Sequence, residues 1–193
     1  MKSKEKIPNF TEKFKAYIEE LYNKPICSEK GRCITPEEIL GYIYAVLYSP
    51  TYRERYREFL KIDFPRIPFV GEFEKFKKVS ELGQKLINFH LLKEPLDTGR
   101  ITLKGRGNLK VEKVSYNPSV KRLYINKETY LEPIEPEVFN FEIGGYKPLE
   151  KYLKYRKGRK LTFSEIEHLK KVIKSIEETI KIQEKLKFID WRI

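Results

Sequence analysis

The sequence predicts an α+β fold with an N-terminal helical region, a small basic antiparallel sheet, and C-terminal helices that include one long helix. Three observations carry this. Up to about residue 95 apolar residues recur at intervals of three and four, the spacing of one helix face. From Pro95 the period falls to two, as in Leu109-Lys110-Val111-Glu112-Lys113-Val114, which is the pattern of a strand with one buried face. Beyond Gly144-Gly145 the helical spacing returns. At 193 residues the chain is long enough to bury a core that needs no staples.

Residues 1–9 are expected to fray, and Phe14, Tyr17, Ile18 and Leu21 mark an amphipathic helix that stops before Pro25. A loop with Gly31 runs from Cys27 to Cys33. Thr35-Pro36-Glu37-Glu38 combines an N-cap, a first-turn proline and a capping-box glutamate, and the helix it opens turns Ile39, Ile43, Val46 and Leu47 inward. Ser49-Pro50 ends one helix and starts another, because proline at the first helical position has no needed amide hydrogen to lose. Tyr52, Tyr56, Phe59 and Leu60 then form an apolar stripe, while Arg53 and Arg57 share another face and need an anion or water between them. Each proline in Phe64-Pro65-Arg66-Ile67-Pro68-Phe69 pushes the residue before it into extended geometry, so this stretch is a stiff strap. A longer helix follows with Phe73, Phe76, Val79, Leu82, Leu86 and Phe89 on one side and His90, read as a satisfied core group, at its end.

Strands are expected at 101–104, 110–116, 122–126 and 138–143, joined by turns at Gly105-Arg106-Gly107-Asn108, Asn117-Pro118-Ser119 and Asn126-Lys127-Glu128. Pro148 starts a short helix with Leu149, Tyr152 and Leu153, closed near Gly158, and Thr162 with Glu165 forms a second capping box. The last helix, 162–188, places Ile166, Leu169, Ile173, Ile176 and Ile180 along a heptad seam. Packing on its own domain is the favoured fate of that seam, ahead of a partner helix.

The formal net charge is +12, and its distribution says more than its size. Residues 100–127 hold eight basic side chains against Glu112 alone, and residues 147–160 hold seven against Glu150 alone. An acidic run with Glu128, Glu132, Glu135, Glu137 and Glu142 separates them. Segregated positive charge is the footprint of a polyanion partner, to be weighed against a lysine-rich surface that serves only solubility. Few Asp, Gln and Met residues among abundant Lys, Glu and Ile match a thermophile's composition. Cys27 and Cys33 fall short of a four-ligand zinc site and are expected as free thiols or a local disulfide. With neither a secretory signal nor a long apolar run, a cytoplasmic location is expected.

Catalytic motifs are missing. No glycine turn follows a first strand, as an S-adenosylmethionine site requires, and no Asn/Asp-Pro-Pro-aromatic motif is present to hold a flipped adenine. There is no Gly-x-x-x-x-Gly-Lys-Ser/Thr loop and no Glu-x-Lys triplet of a metal-dependent nuclease. The chain reads as a binding module with no catalytic, cofactor or metal site of its own. Candidates for reading base edges are Arg100, Arg106, Asn108, Tyr116, Asn117, Arg122 and Asn126, since Arg pairs with guanine and Asn with adenine. Candidates for gripping phosphates are Lys104, Lys110, Lys113, Lys121, Arg156, Lys157, Arg159 and Lys160.

The run SPTYRERYREFLKIDFPRIPF, with FEKFKKVSELGQKLINFHLL after it and VFNFEIGGYKPLEKYLKYRKGRKLTFSEIEHLKKVIKSIEETI further on, resembles the C-terminal specificity region of type ISP restriction-modification enzymes and related adenine-specific DNA methyltransferases. The likeness spans about Thr35 to Lys187, and 1–34 has no recognisable counterpart. It implies a target-recognition domain organised as 1–34, an extension with one helix; 35–95, a helical part; 96–146, a sheet facing DNA; and 147–193, a helical segment that docks the catalytic part. The implied partners are double-stranded DNA and a methyltransferase or restriction domain that carries the S-adenosylmethionine. The rival reading is a stand-alone protein binding DNA or RNA.

Overall fold

The computed structural model describes residues 8–27 and 33–192, so the expectations for the first seven residues and for Gly31 lie outside them. The chain divides into two units, Met1–Asn88 with Ile182–Ile193, and Phe89–Lys181.

The first unit contains α1 (Glu12–Tyr22), α2 (Pro36–Tyr48), α3 (Pro50–Arg55), α4 (Phe59–Ile62) and most of α5 (Phe73–His90). The Thr35 capping box forms as expected: Thr35 Oγ1 accepts from Glu38 N at 3.2 Å, and Glu38 Oε2 accepts from Thr35 N at 2.9 Å. Cys27 and Cys33 are joined in a disulfide. The apolar stripe on 52–60 is interrupted, because α3 ends at Arg55 and a turn rotates Phe59 outward while Tyr52 stays buried. Arg57 finds its carboxylate in Glu54 at 3.1 Å.

Strap 64–69 is extended, and tyrosine hydroxyls hold it. Tyr52 Oη donates to Arg66 O at 2.6 Å, Tyr42 Oη to Pro68 O at 2.7 Å, and Tyr22 Oη to Val70 O at 2.7 Å. The rings beneath form the core, with Tyr42 stacked on Phe69 at 4.8 Å and on Phe76 at 5.1 Å. Buried Trp191 donates from Nε1 to Ser49 Oγ at 2.7 Å. Helices α2 and α5 cross backbone to backbone at Gly41 and Gly83, so closely that a Cβ on Gly83 would coincide with the Gly41 carbonyl oxygen.

The second unit holds a four-stranded antiparallel sheet of β1 (Thr102–Lys104), β2 (Ser115–Asn117), β3 (Arg122–Tyr124) and β4 (Tyr130–Glu132), in the order β1-β4-β3-β2. β1 and β3 lie within the expected ranges, and β2 overlaps only the end of 110–116, running on through Asn117 where a turn was expected. The fourth is a correction: 138–143 is not a strand, because Pro136 starts the short helix α6 (Pro136–Phe139), and the strand is Tyr130–Glu132 instead. Helices α7 (Pro148–Lys154) and α8 (Phe163–Leu186) follow. Ile166, Leu169, Ile173 and Ile176 of α8 join Leu123, Ile125, Leu131, Leu149 and Leu153 in one core, with Ile180 packed against it. The heptad seam is therefore filled by the chain's own sheet. No helix among the described residues is long and apolar enough to cross a membrane.

His90 is half-buried and hydrogen-bonded, a satisfied group as the sequence suggested. Thr179 Oγ1 gives its proton to Ser175 O at 2.7 Å and so accepts from His90 Nε2 at 2.9 Å. Burial holds the imidazole pKa below its ordinary value. A depressed folded pKa means that the unfolded chain binds more protons. The stability contributed by neutral His90 is thus present above about pH 6.5 and lost as pH falls through the folded pKa. Urea midpoints measured between pH 7.5 and 5 should decline, and His90→Gln should flatten that decline; an unchanged slope would remove this role.

Candidate nucleic-acid interface

Alternation along the strands sorts the sheet's two faces. In the register Leu103 and Leu123 both pair with Leu131, and these leucines point to the core. Lys104, Arg122, Tyr124, Tyr130 and Glu132 occupy the alternate positions and form the outer face. This outer face therefore carries cations and tyrosines around one carboxylate. Glu132 sits at its centre, accepting from Arg122 Nε at 2.6 Å and pairing with Lys104 Nζ at 2.8 Å. Hydrogen bonds from Lys104 and Arg122 hold the Glu132 carboxyl below the usual carboxylate range. The Arg122 guanidinium lies 4.3 Å above the Tyr130 ring, and Tyr130 leans on Tyr124 with centroids 5.1 Å apart.

The two basic runs are stitched together. Residues 109–111 pair with 158–161 through Val111 N to Arg159 O at 2.9 Å, Gly158 N to Val111 O at 2.7 Å, and Leu161 N to Leu109 O at 2.9 Å. Lys110 and Lys160 stand directly opposite one another in this ribbon. Like charges placed this way repel, and both side chains are exposed without an ionic partner among the described residues.

Several predicted residues already have partners within the same unit. Arg100 pairs with Glu177 at 2.8 Å and Lys121 with Glu135 at 2.6 Å. Arg156 and Arg159 both bind Glu165, at 3.0 and 2.5 Å, and Glu165 also caps α8 by accepting from Thr162 N. Hydrogen bonds from Arg159 and Thr162 hold that carboxyl far below its ordinary range. Asn126, only 6% exposed, donates to Asn108 O and Lys110 O and accepts from Glu128 N and Thr129 N. Its amide is fully used within the loop. Tyr116 stacks on Phe139 at 4.3 Å and gives its hydroxyl to Ile134 O. Asn108 and Asn117 use their side-chain oxygens on Lys110 N and Ser119 N, as turn residues do. Arg106, Lys113 and Lys157, like Lys110 and Lys160, have no ionic partner among the described residues.

A groove of about 760 Å³ adds residues that the sequence reading passed over. Lys147, Lys151 and Lys154 line it with Lys113 and Lys157, beside Tyr146 and Tyr155, and Glu112, Glu142 and Glu150 share its walls. Lys151 Nζ stands 3.7 Å from the Tyr146 ring centroid, and Tyr155 is 75% exposed. A signal existed: the lysines recur at i, i+4 and i+7 across the start of α7, with Tyr146 and Tyr155 flanking them. Among the described residues no group of three or more His, Cys, Asp or Glu side chains gathers as a metal ion would require.

Comparison with known families matches residues 1–185 to the Type ISP C-terminal specificity domain. The chain belongs to that family. The match begins at the first residue and so includes the segment 1–34. Among solved structures, similar ones include a nuclease-deletion mutant of the Type ISP restriction-modification enzyme LlaGI in complex with a DNA substrate mimic (TM-score 0.63, 22% identity, covering 81% of this chain and 14% of that one). The ATP-dependent Type ISP enzyme LlaBIII bound to DNA gives a TM-score of 0.63 at 20% identity over 82% of this chain and 11% of its own. The DrdV–DNA complex gives 0.61 at 22% identity over 78% and 18%. These likenesses show a shared fold, and the specificity domain spans less than a fifth of each of those chains. No curated protein matches the sequence.

Proposed function

We propose that this specificity domain recognises a double-stranded DNA target for a restriction-modification adenine methyltransferase. The chemistry belongs to a catalytic part that binds S-adenosylmethionine and the flipped adenine, and this chain acts as the non-catalytic reader. The observation that carries the reading is the convergence, within one unit of a Type ISP specificity fold, of cations with no internal partner. Arg106, Lys110, Lys113, Lys157 and Lys160 come from two separate stretches of sequence, and the ribbon holds Lys110 and Lys160 side by side. An adjacent phosphate relieves their repulsion and releases counterions.

Five neutralised phosphates correspond to a slope of about −4 to −5 in log K against log salt. Fluorescence anisotropy with a duplex between 50 and 300 mM salt measures it, and a flat plot overturns the phosphate contacts. The double variant Lys110→Ala/Lys160→Ala should reduce the slope by about two and weaken all sequences alike. Competition between duplex DNA and structured RNA tests the RNA form of the stand-alone rival: preference for RNA would favour it.

A further inference from the structure

We propose that Arg122 reads a guanine and that Glu132 is the positioning residue that aims it. This rests on the DNA-recognition reading above. Of the arginines expected to reach DNA, Arg122 has a distinctive arrangement. Its Nε is committed to Glu132 Oε2 at 2.6 Å, and its plane is supported by the Tyr130 ring at 4.3 Å. The terminal nitrogens make no other ion pair among the described residues; on the sheet's outer face the guanidinium also hydrogen-bonds with Tyr124, and since each terminal nitrogen carries two hydrogens, one N–H on each remains to face outward. A guanidinium fixed in this way presents two parallel N–H donors, the pattern that matches guanine O6 and N7 in the major groove.

The other arginines lack this combination. Arg156 is also anchored through Nε and stacked on a tyrosine, but its Nη1 donates to Tyr152 O at 2.9 Å. Arg159 places both terminal nitrogens on Glu165, and Arg100 places one on Glu177. Arg106 has no carboxylate to orient it. Glu132 is itself fixed from the far side by Lys104 at 2.8 Å. The rotamer freedom that a free arginine loses on meeting a base is therefore already restricted before DNA arrives. An antiparallel strand pair such as β3–β4 is also of a size that the major groove admits.

Selection of duplexes from a randomised library by the 193-residue protein tests this. The wild type should enrich a motif with at least one fixed guanine. Arg122→Lys, which keeps the charge, should lose preference at that position by about tenfold or more while other positions hold. Glu132→Gln should bind DNA overall as tightly or more tightly, since a negative charge is gone, yet show the same loss at the same position. A second measurement leaves the protein intact: 7-deazaguanine at that position should weaken the wild type about tenfold and leave Arg122→Lys unaffected. An unchanged guanine preference in Arg122→Lys, or in Glu132→Gln, would overturn the assignment. Binding without any enriched motif would also overturn it, with the phosphate contacts intact, whereas absence of DNA binding would remove the parent reading as well.

Discussion

Gly83→Ala is expected to destabilise the first unit by about 3 kcal/mol or more, at or above the upper end of the range for overpacked cores. The reason is what the new methyl group meets. It falls on the carbonyl oxygen of Gly41, with Ala45 N close behind, and backbone held in a helix cannot swing aside as a side-chain tip can. Helices α2 and α5 would have to separate, opening the contacts of Tyr42 with Phe76 and Phe69. An alanine elsewhere in an exposed helix interior would add about 1 kcal/mol of stability over glycine, so the sign itself is diagnostic. Urea denaturation reads the change in midpoint, and a loss below about 1 kcal/mol would show that the helices adjust.

The second large effect is expected from Asn126→Ala, at about 3 kcal/mol or more, because several backbone groups lose their partner together. Asn108 O, Lys110 O, Glu128 N and Thr129 N all converge on this one amide. Asn126→Asp keeps the two acceptor contacts but loses the two donations, and should fall between alanine and wild type. Thermal melting of the three proteins gives the order. If Asn126→Ala melts with wild type but selects different DNA, the residue reads bases after all.

Asn126 also shows where the sequence stops being informative. As an exposed turn residue it fitted adenine readout; only the distant approach of 108–110 makes it an internal bracket. Local features were legible because neighbours along the chain produce them. The capping boxes at Thr35 and Thr162, the strap after Asp63 and the seam of α8 all appear as expected. Strand β4 was not legible, since three residues between Glu128 and Pro133 are too few to display alternation, while 138–143 imitated it by chance. The charge pattern was read correctly as segregated, yet its pairing depends on tertiary structure. Glu132 and Glu135, from the acidic run between the two basic ones, turn out to be the counterions of Lys104, Arg122 and Lys121.

Glu165 joins the start of α8 to two arginines of the preceding loop, and one consequence concerns how such a reader changes over generations. Arg156 and Arg159 are tied to architecture and resist substitution, whereas Lys110, Lys113, Lys157 and Lys160 have no ionic partner among the described residues. Mutation can exchange them one at a time with the scaffold unharmed. On the proposed reading, a lineage can therefore tune its grip on DNA without first having to survive a misfolded ancestor.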